Sequence, residues 1–376
     1  MATEVQTVVC YPPNPGPNWK VETTKVLTSR PLQENELRVR MVASGICHTD
    51  VFVSCIPGGV AGLEYPKVLG HEGAGIVEEI GSGVTTAEVG DPVLLSYTYC
   101  SNCDLCGVSQ QPYCLDWHVL NIVGDKTLQT AGGDHIQAKF FGQSSFAGES
   151  IVSEQSVVNV KGTVNNEELK LLAPLGCGLM TGSGAVINNA KAKPFDIVVV
   201  TGIGAVGLGA IMAAKIVGVK EIIAVDRIGH RLEVAKELGA TQILESKPDT
   251  NLTEELQKLA GGGRISYVFE TTGVVSVIQA SLEALGKHGK LIQIGVPSMD
   301  AQLTLPLYPL LSQNKGFECI YLGDTTGQEW VPKMIQWWRE GKFPVEKLVK
   351  FYPVKDAQEA LHGMESGVAI KPVLVW

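Results

Sequence analysis

The chain has 376 residues, 45% hydrophobic and 18% charged, and a formal net charge of −9. That length suits two or three domains whose core needs no crosslinks, and an acidic balance with no basic run argues against nucleic acid or an anionic membrane as partner. No stretch is long and apolar enough to span a membrane and "MATEVQTVVCYPP" lacks a secretory pattern, so a cytoplasmic protein with reduced thiols is expected.

In chain order, the first segment with chemistry in it is "ASGICHTDVF", holding Cys47, His48, Thr49, Asp50 and Phe52. Next comes "VLGHEGAGIV", with His71 and Glu72 between glycines. Each is weak alone, because a single cysteine is usually a small core hydrophobe. Tyr97 follows in "LLSYTYC", directly before four closely spaced cysteines.

Those four are Cys100, Cys103, Cys106 and Cys114 in "YCSNCDLCGVSQQPYC". In a reducing compartment, thiolates at this spacing read as a metal knot rather than a disulfide cluster. Four sulfurs close a tetrahedron and leave no position for water or substrate, so the knot holds structure and does no chemistry. Zinc is the expected ion. An iron–sulfur cluster is the rival, but its ferredoxin-like run has a third short gap and a following proline, which this loop lacks. The stretch from Leu115 to Ser150 is long between motifs and reads as an insert near a cleft or subunit contact. Cys177 comes later, in "LAPLGCGLMTG"; Cys10, Cys55 and Cys319 read as ordinary thiols.

From Ile197 to Val200 the chain is β-branched throughout, as a buried parallel strand should be. Gly202, Gly204 and Gly207 then form G-x-G-x-x-G at a strand-to-helix turn. They permit a tight turn, close approach of a pyrophosphate, and packing of a helix whose N-terminal amides face the phosphates. Asp226 ends the next strand, where its carboxylate would accept from ribose hydroxyls and repel a 2′-phosphate, which favours NAD. Arg227 beside it would partly offset that repulsion. Two further units, "ISYVFETTG" and "GKLIQIGVP", belong where a doubly wound sheet presents a nicotinamide pocket.

Together the G-x-C-H-T-D segment, the G-H-E-x-x-G segment, the later G-C and the cysteine lobe resemble the zinc-dependent alcohol dehydrogenases of the medium-chain dehydrogenase/reductase superfamily. The resemblance covers essentially the whole chain. It implies an α/β protein: a GroES-like, mostly β catalytic domain over 1–178 with a structural zinc lobe at 100–114, a Rossmann doubly wound domain over 179–321, and a return to the catalytic domain over 322–376. It also implies two zinc ions per chain. Cys47, His71 and Cys177 would hold the catalytic zinc and the four-cysteine lobe the other. Asp50 would orient His71, Glu72 would approach the metal during ligand exchange, Thr49 would pass on the alcohol proton, and His48 would contact the cofactor pyrophosphate. Arg231 resembles the family's basic contact to the adenosine ribose. Lys371, in "VAIKPVLVW", stands where an arginine touching the pyrophosphate is common, so a point charge replaces a bidentate fork.

One position departs: many relatives carry a relay histidine where this chain has Phe52. Proton exit would then run through Thr49, the ribose and water, or involve His48. Phe52 and Tyr97 would make the substrate pocket apolar, resembling the aryl- and allyl-alcohol branch. The implied activity is hydride transfer between NAD and a small primary alcohol or aldehyde, aromatic or allylic. Alternatives on the same scaffold are a polyol or formaldehyde-adduct dehydrogenase, or a biosynthetic aldehyde reductase. A non-enzymatic nucleotide-binding scaffold would be marked by a lost zinc ligand, and all three are present. Relatives are homo-oligomers, dimers or tetramers, and the 115–150 stretch leans to a dimer.

Overall fold

The computed structural model describes residues 4–26 and 31–376. The chain divides into two units: Met1–Cys177 with Thr326–Gln336 and Leu348–Trp376, and Gly178–Thr325 with Trp337–Lys347.

The first unit is mostly β. The strands Glu4–Tyr11, Asn18–Val26, Asp125–Thr130, His135–Ala138 and Lys67–Val68 close into a small barrel in that order. A seven-stranded sheet has Glu36–Gly45 at its centre, flanked by Gly73–Ile80 and by Lys371–Val375, with Glu149–Ser153 pairing on it as well. Leu37, Val39 and Met41 alternate along the central strand and pack with Val77, Val93, Leu95, Val152 and Val157. This is the period-two pattern that commits one face of a strand to a core. The stretch from Leu115 to Ser150 is not an insert. It supplies two barrel strands and the run that leads into Glu149–Ser153, so it is part of this unit's frame.

The second unit is a six-stranded parallel sheet in the order Gln242–Glu245, Glu221–Asp226, Ile197–Thr201, Ile265–Glu270, Lys290–Gln293, Gly316–Cys319. In chain order that is 3-2-1-4-5-6, the order of a dinucleotide-binding doubly wound sheet. The helix Ala205–Ile216 follows the glycine turn and is buried from Gly207 to Ala214. The expected α/β class, with a barrel-like β domain and a Rossmann sheet, is the observed one. No single helix among the described residues is long and apolar enough to cross a membrane.

Candidate active site and metal centres

The central strand Glu36–Gly45 delivers Cys47 to the N-cap of the short helix His48–Ser54. Asp50, three residues on, closes a capping box by accepting from the Cys47 amide at 2.9 Å. Its other oxygen accepts from the Gly70 amide at 3.0 Å and lies 2.9 Å from His71 Nδ1. A single buried carboxylate thus fixes the backbone of Cys47 and the ring of His71 together.

With Nδ1 on Asp50, His71 Nε2 is buried and has no hydrogen-bond partner. A ring nitrogen of His71, Cys47 Sγ, Cys177 Sγ and a Glu72 oxygen all lie within 4.8 Å of one another; His71, Glu72 and Cys177 are buried and Cys47 is half-buried. Two thiols, an orphaned imidazole nitrogen and a carboxylate around one point are a donor set that suits zinc. The electrostatics agree. A hydrogen bond from Cys177 holds the Cys47 thiol well below its usual range in spite of burial, and the same contact, with burial, pushes Cys177 up. Burial would lower the His71 imidazole, but the Asp50 carboxylate holds it well above the usual range. Burial raises Glu72 to about 7, with Lys371 pulling the other way and Cys47 adding to the rise.

Lys371 is the first departure from expectation. Its ammonium does not present itself for a pyrophosphate: the side chain is buried, with Nζ 2.9 Å from both Glu72 oxygens and 3.1 Å from the Ile46 carbonyl. The reason is register, since Val373 pairs with Gly45 and so lays the C-terminal strand beside the Cys47 segment. Tyr97 is the second. At 1% exposure it lines no accessible channel and packs 5.9 Å from the Tyr99 ring, in the core beside the cysteine lobe. Phe52, Thr49 and Cys47 are half-buried along the helix His48–Ser54, with Cys47 Sγ 3.8 Å from Thr49 Oγ1, and His48 is exposed.

Sequence reasoning missed three features: the aromatic pair Phe140 and Phe141, then Gln143, then Gly45. Phe141 stacks on the His71 ring at 4.4 Å and Phe140 meets it edge-on at 5.5 Å. Phe141 holds a left-handed backbone (φ 53°), as do Lys139 and Ser144, which is strained for bulky residues and invisible to periodicity. Gln143 binds the ligand segment from behind, its Nε2 donating to the His71 and Ser96 carbonyls and its Oε1 accepting from the Gly73 amide. Gly45 is the third, because a Cβ there would lie 2.0 Å from a Glu72 carboxylate oxygen.

Cys100, Cys103, Cys106 and Cys114 also bring their sulfurs within 4.8 Å of one another, and all are free thiols. The four-residue helix Asp104–Gly107 and left-handed turns at Ser101 and Ser109 fold the loop back on itself. Backbone amides at Leu115 and Cys106 lower the Cys103 thiol to about 6, whereas burial raises Cys106 to about 12.

In the second unit Gly202 has φ +88°, a Cβ on Gly207 would meet the Gly202 carbonyl at 2.0 Å, and above Gly204 nothing lies within 4 Å. Turn, packing and open approach therefore fall on the three glycines in the pattern a phosphate-binding turn needs. Asp226 accepts from the amides of Ile203 (2.6 Å) and Ile228 (2.9 Å), tying the end of its strand to that turn. Arg231 is buried with Nε unpartnered among the described residues, and burial lowers its guanidinium against the pull of Asp226; Arg227 is exposed. An orphaned donor beside an acid and an open glycine turn is a fit for a polar nucleotide.

The sequence pattern of the alcohol dehydrogenase GroES-like domain matches residues 33–162, and that of the zinc-binding dehydrogenases matches residues 205–340. The chain is 35% identical to a geraniol dehydrogenase of Castellaniella defragrans over 347 residues, 91% of each chain. It is 31% identical to an S-(hydroxymethyl)glutathione dehydrogenase of Komagataella pastoris, covering 100% of this chain and 99% of the relative. The crystal structure of a benzyl alcohol dehydrogenase from Acinetobacter calcoaceticus superposes with a TM-score of 0.89 at 35% identity, over 99% of both chains. The chain therefore belongs to the family of zinc-dependent alcohol dehydrogenases, as the motifs led us to expect. It is an enzyme of that family, and its substrate is a small alcohol or aldehyde.

Proposed function

We propose that the protein moves a hydride between NAD and a primary alcohol or its aldehyde, with aromatic or allylic substrates preferred. The observation that carries the chemistry is the orphaned His71 Nε2, on a ring that Asp50 fixes and that brings a nitrogen within 4.8 Å of two thiols and Glu72. Cys47, His71 and Cys177 would hold a zinc ion, which when bound supplies the Lewis acid that brings an alcohol hydroxyl into the neutral range. Asp50 keeps the His71 proton on Nδ1 so that Nε2 remains a donor atom. Glu72, countered by Lys371, stands next to that group without being forced into it. Thr49 carries the substrate proton outward, and exposed His48 serves the pyrophosphate or the last proton step. Cys100, Cys103, Cys106 and Cys114 would hold a second zinc that only stabilises.

Gly202, Gly204, Gly207, Asp226 and Arg231 would hold NAD, which when bound supplies the hydride acceptor. In this reading Met1–Cys177, Thr326–Gln336 and Leu348–Trp376 form the catalytic domain and Gly178–Thr325 with Trp337–Lys347 the cofactor domain, so the return expected over 322–376 is interrupted by Trp337–Lys347. The substrate preference is supported by the geraniol and benzyl alcohol dehydrogenases among the relatives and by half-buried Phe52 on the helix that follows Cys47. We also read the protein as a cytoplasmic homodimer. Support comes from the edge strand Gly316–Cys319 and from Leu307, Tyr308 and Leu311, which are 75–81% exposed on the helix Leu307–Gln313.

The test is NAD reduction on mixing with benzyl alcohol, cinnamyl alcohol, geraniol, ethanol, sorbitol and S-hydroxymethylglutathione. Turnover on the first three, lost on zinc removal, is the expected result. Preference for sorbitol or the glutathione adduct would overturn the substrate reading, and silence across the panel would overturn the activity.

A further inference from the structure

Glu270 ends the strand Ile265–Glu270 and is paired with Thr201, the last residue of Ile197–Thr201. Between these two strands the sheet order reverses, so their carboxyl ends flank the crevice in which a doubly wound sheet takes its ligand. The Glu270 side chain is fully buried. Among the described residues five hydrogen bonds reach it, and no partner is a cation. Oε1 accepts from the Thr272 amide (2.7 Å), the Thr272 hydroxyl and the Thr201 hydroxyl (3.4 Å). Oε2 accepts from the Gly273 amide (3.0 Å) and Gln293 Nε2 (2.8 Å).

Those partners belong to three different strand ends. Thr201 precedes Gly202, Thr272 and Gly273 form the turn after the fourth strand, and Gln293 closes the fifth. The same knot is locked from outside. Thr271 Oγ1 donates to the carbonyls of Thr201 and Gly202, both at 2.8 Å, and a Cβ on Gly295 would lie 2.3 Å from the Gly273 nitrogen. Asp226 marks the adenosine half of the crevice, and the helix Ala205–Ile216 begins at its middle. The ends of Ile265–Glu270 and Lys290–Gln293 therefore serve the nicotinamide half.

We propose that Glu270 is a positioning residue that fixes the two turns beneath the nicotinamide, and that its buried carboxylate shifts the balance of affinities towards the oxidised, cationic ring relative to an uncharged residue at that place. The inference rests on NAD being the cofactor. The nicotinamide loses its positive charge when it takes a hydride, so a fixed anion attracts one form and not the other. Amide and hydroxyl dipoles hold the carboxylate in place, but they carry no net charge to cancel it at longer range. In a site shielded from water that residual field is far stronger than in bulk solvent.

Three variants of the zinc-loaded full chain test this, with dissociation constants for NAD and NADH measured by calorimetry. Glu270→Gln keeps the shape and removes the charge. It is expected to shift the NAD-to-NADH affinity ratio about tenfold towards NADH, which is about 1.4 kcal/mol. Glu270→Asp keeps the charge on a shorter arm and should weaken both forms with the ratio unchanged. Gln293→Met removes one compensating donor and should move the ratio towards NAD. A wild-type ratio in a folded Glu270→Gln overturns the inference. Should that variant not fold, a ratio that moves in Glu270→Asp or stays still in Gln293→Met overturns it instead. A wild-type protein that binds neither form overturns the cofactor reading, and this inference with it.

Discussion

The ammonium of Lys371 lies 2.9 Å from each carboxylate oxygen of Glu72, although 299 residues separate the two in the chain, and both side chains are buried. Gly45 makes room for the carboxylate and the Ile46 carbonyl takes another Lys371 donor, so the pair is enclosed by the segment that carries Cys47. Burial alone would discharge both groups. The lysine is instead held above its ordinary range by Glu72, overriding burial, while Glu72 remains raised to about 7. The arrangement keeps an acid beside the thiols without leaving its charge uncompensated.

Lys371→Met is accordingly expected to cost about 3–5 kcal/mol, the scale of a buried pair broken on one side. Denaturant unfolding of the zinc-loaded protein measures it. Glu72→Gln together with Lys371→Met should recover most of the loss. A double variant as unstable as the single one would show that Lys371 acts through packing and not through Glu72.

Gly45→Ala tests the enclosure from the other side. Its Cβ would stand 2.0 Å from a Glu72 oxygen, so the carboxylate must leave Lys371 or the strand must shift. We expect a lower melting temperature and lower turnover, and a crystal structure of the variant with Glu72 rotated. Wild-type stability would contradict the close packing described here.

Asp50→Asn should separate metal holding from folding. Asparagine keeps one acceptor, but its amide group would face either the Cys47 amide or the Gly70 amide and His71 Nδ1, all of which Asp50 now accepts from. The expected result is a 10–100-fold weaker hold on the catalytic zinc, about the size of such outer-partner effects, measured by competition with a chelator. Unchanged zinc affinity would mean that Asp50 serves only the helix cap.

The parts of this site that could be read from sequence are those whose chemistry is local. Cys47, His71 and Cys177 lie in short glycine-flanked segments, and the spacing of Gly202, Gly204 and Gly207 states its own function. The Lys371–Glu72 contact is set by strand register across nearly the whole chain, which no local pattern displays. Tyr97 lies two residues past the Pro92–Leu95 strand, and which way it points depends on packing behind the cysteine lobe. Phe141 reaches His71 only through a left-handed backbone, which no hydrophobic pattern announces. Glu270 is one acid at the end of a strand in the sequence, and only the fold gathers its five donors from three strand ends.

Division of labour between the two metal groups predicts two zinc ions per purified chain. Cys103→Ser should retain one zinc and lose thermal stability, while Cys47→Ser should keep the fold and lose turnover. Elemental analysis with thermal melts decides. A Cys103→Ser protein that loses its metal yet melts like the wild type would remove the holding role from the lobe.

Lys67 supplies a pH dependence with a definite sign. Its Nζ donates to the Val123 carbonyl and to Gln137 Oε1, both at 3.0 Å, and lies 5.7 Å from the Phe140 ring centre. Burial lowers the ammonium to about 7, with weaker opposing pulls from Cys10 and Glu64. A base depressed in the folded state binds fewer protons there than in the unfolded chain, between about 7 and the ordinary lysine value of about 10.5. Stability from this group therefore rises with pH across that window, by up to about 5 kcal/mol, and is at its lowest below it. Lys67→Met lacks the term. The unfolding free energy of wild type minus that of the variant should climb steadily from pH 7 to pH 10 in urea titrations. Parallel profiles would mean that Lys67 stays charged in the barrel, with its two carbonyl acceptors offsetting the whole of its desolvation.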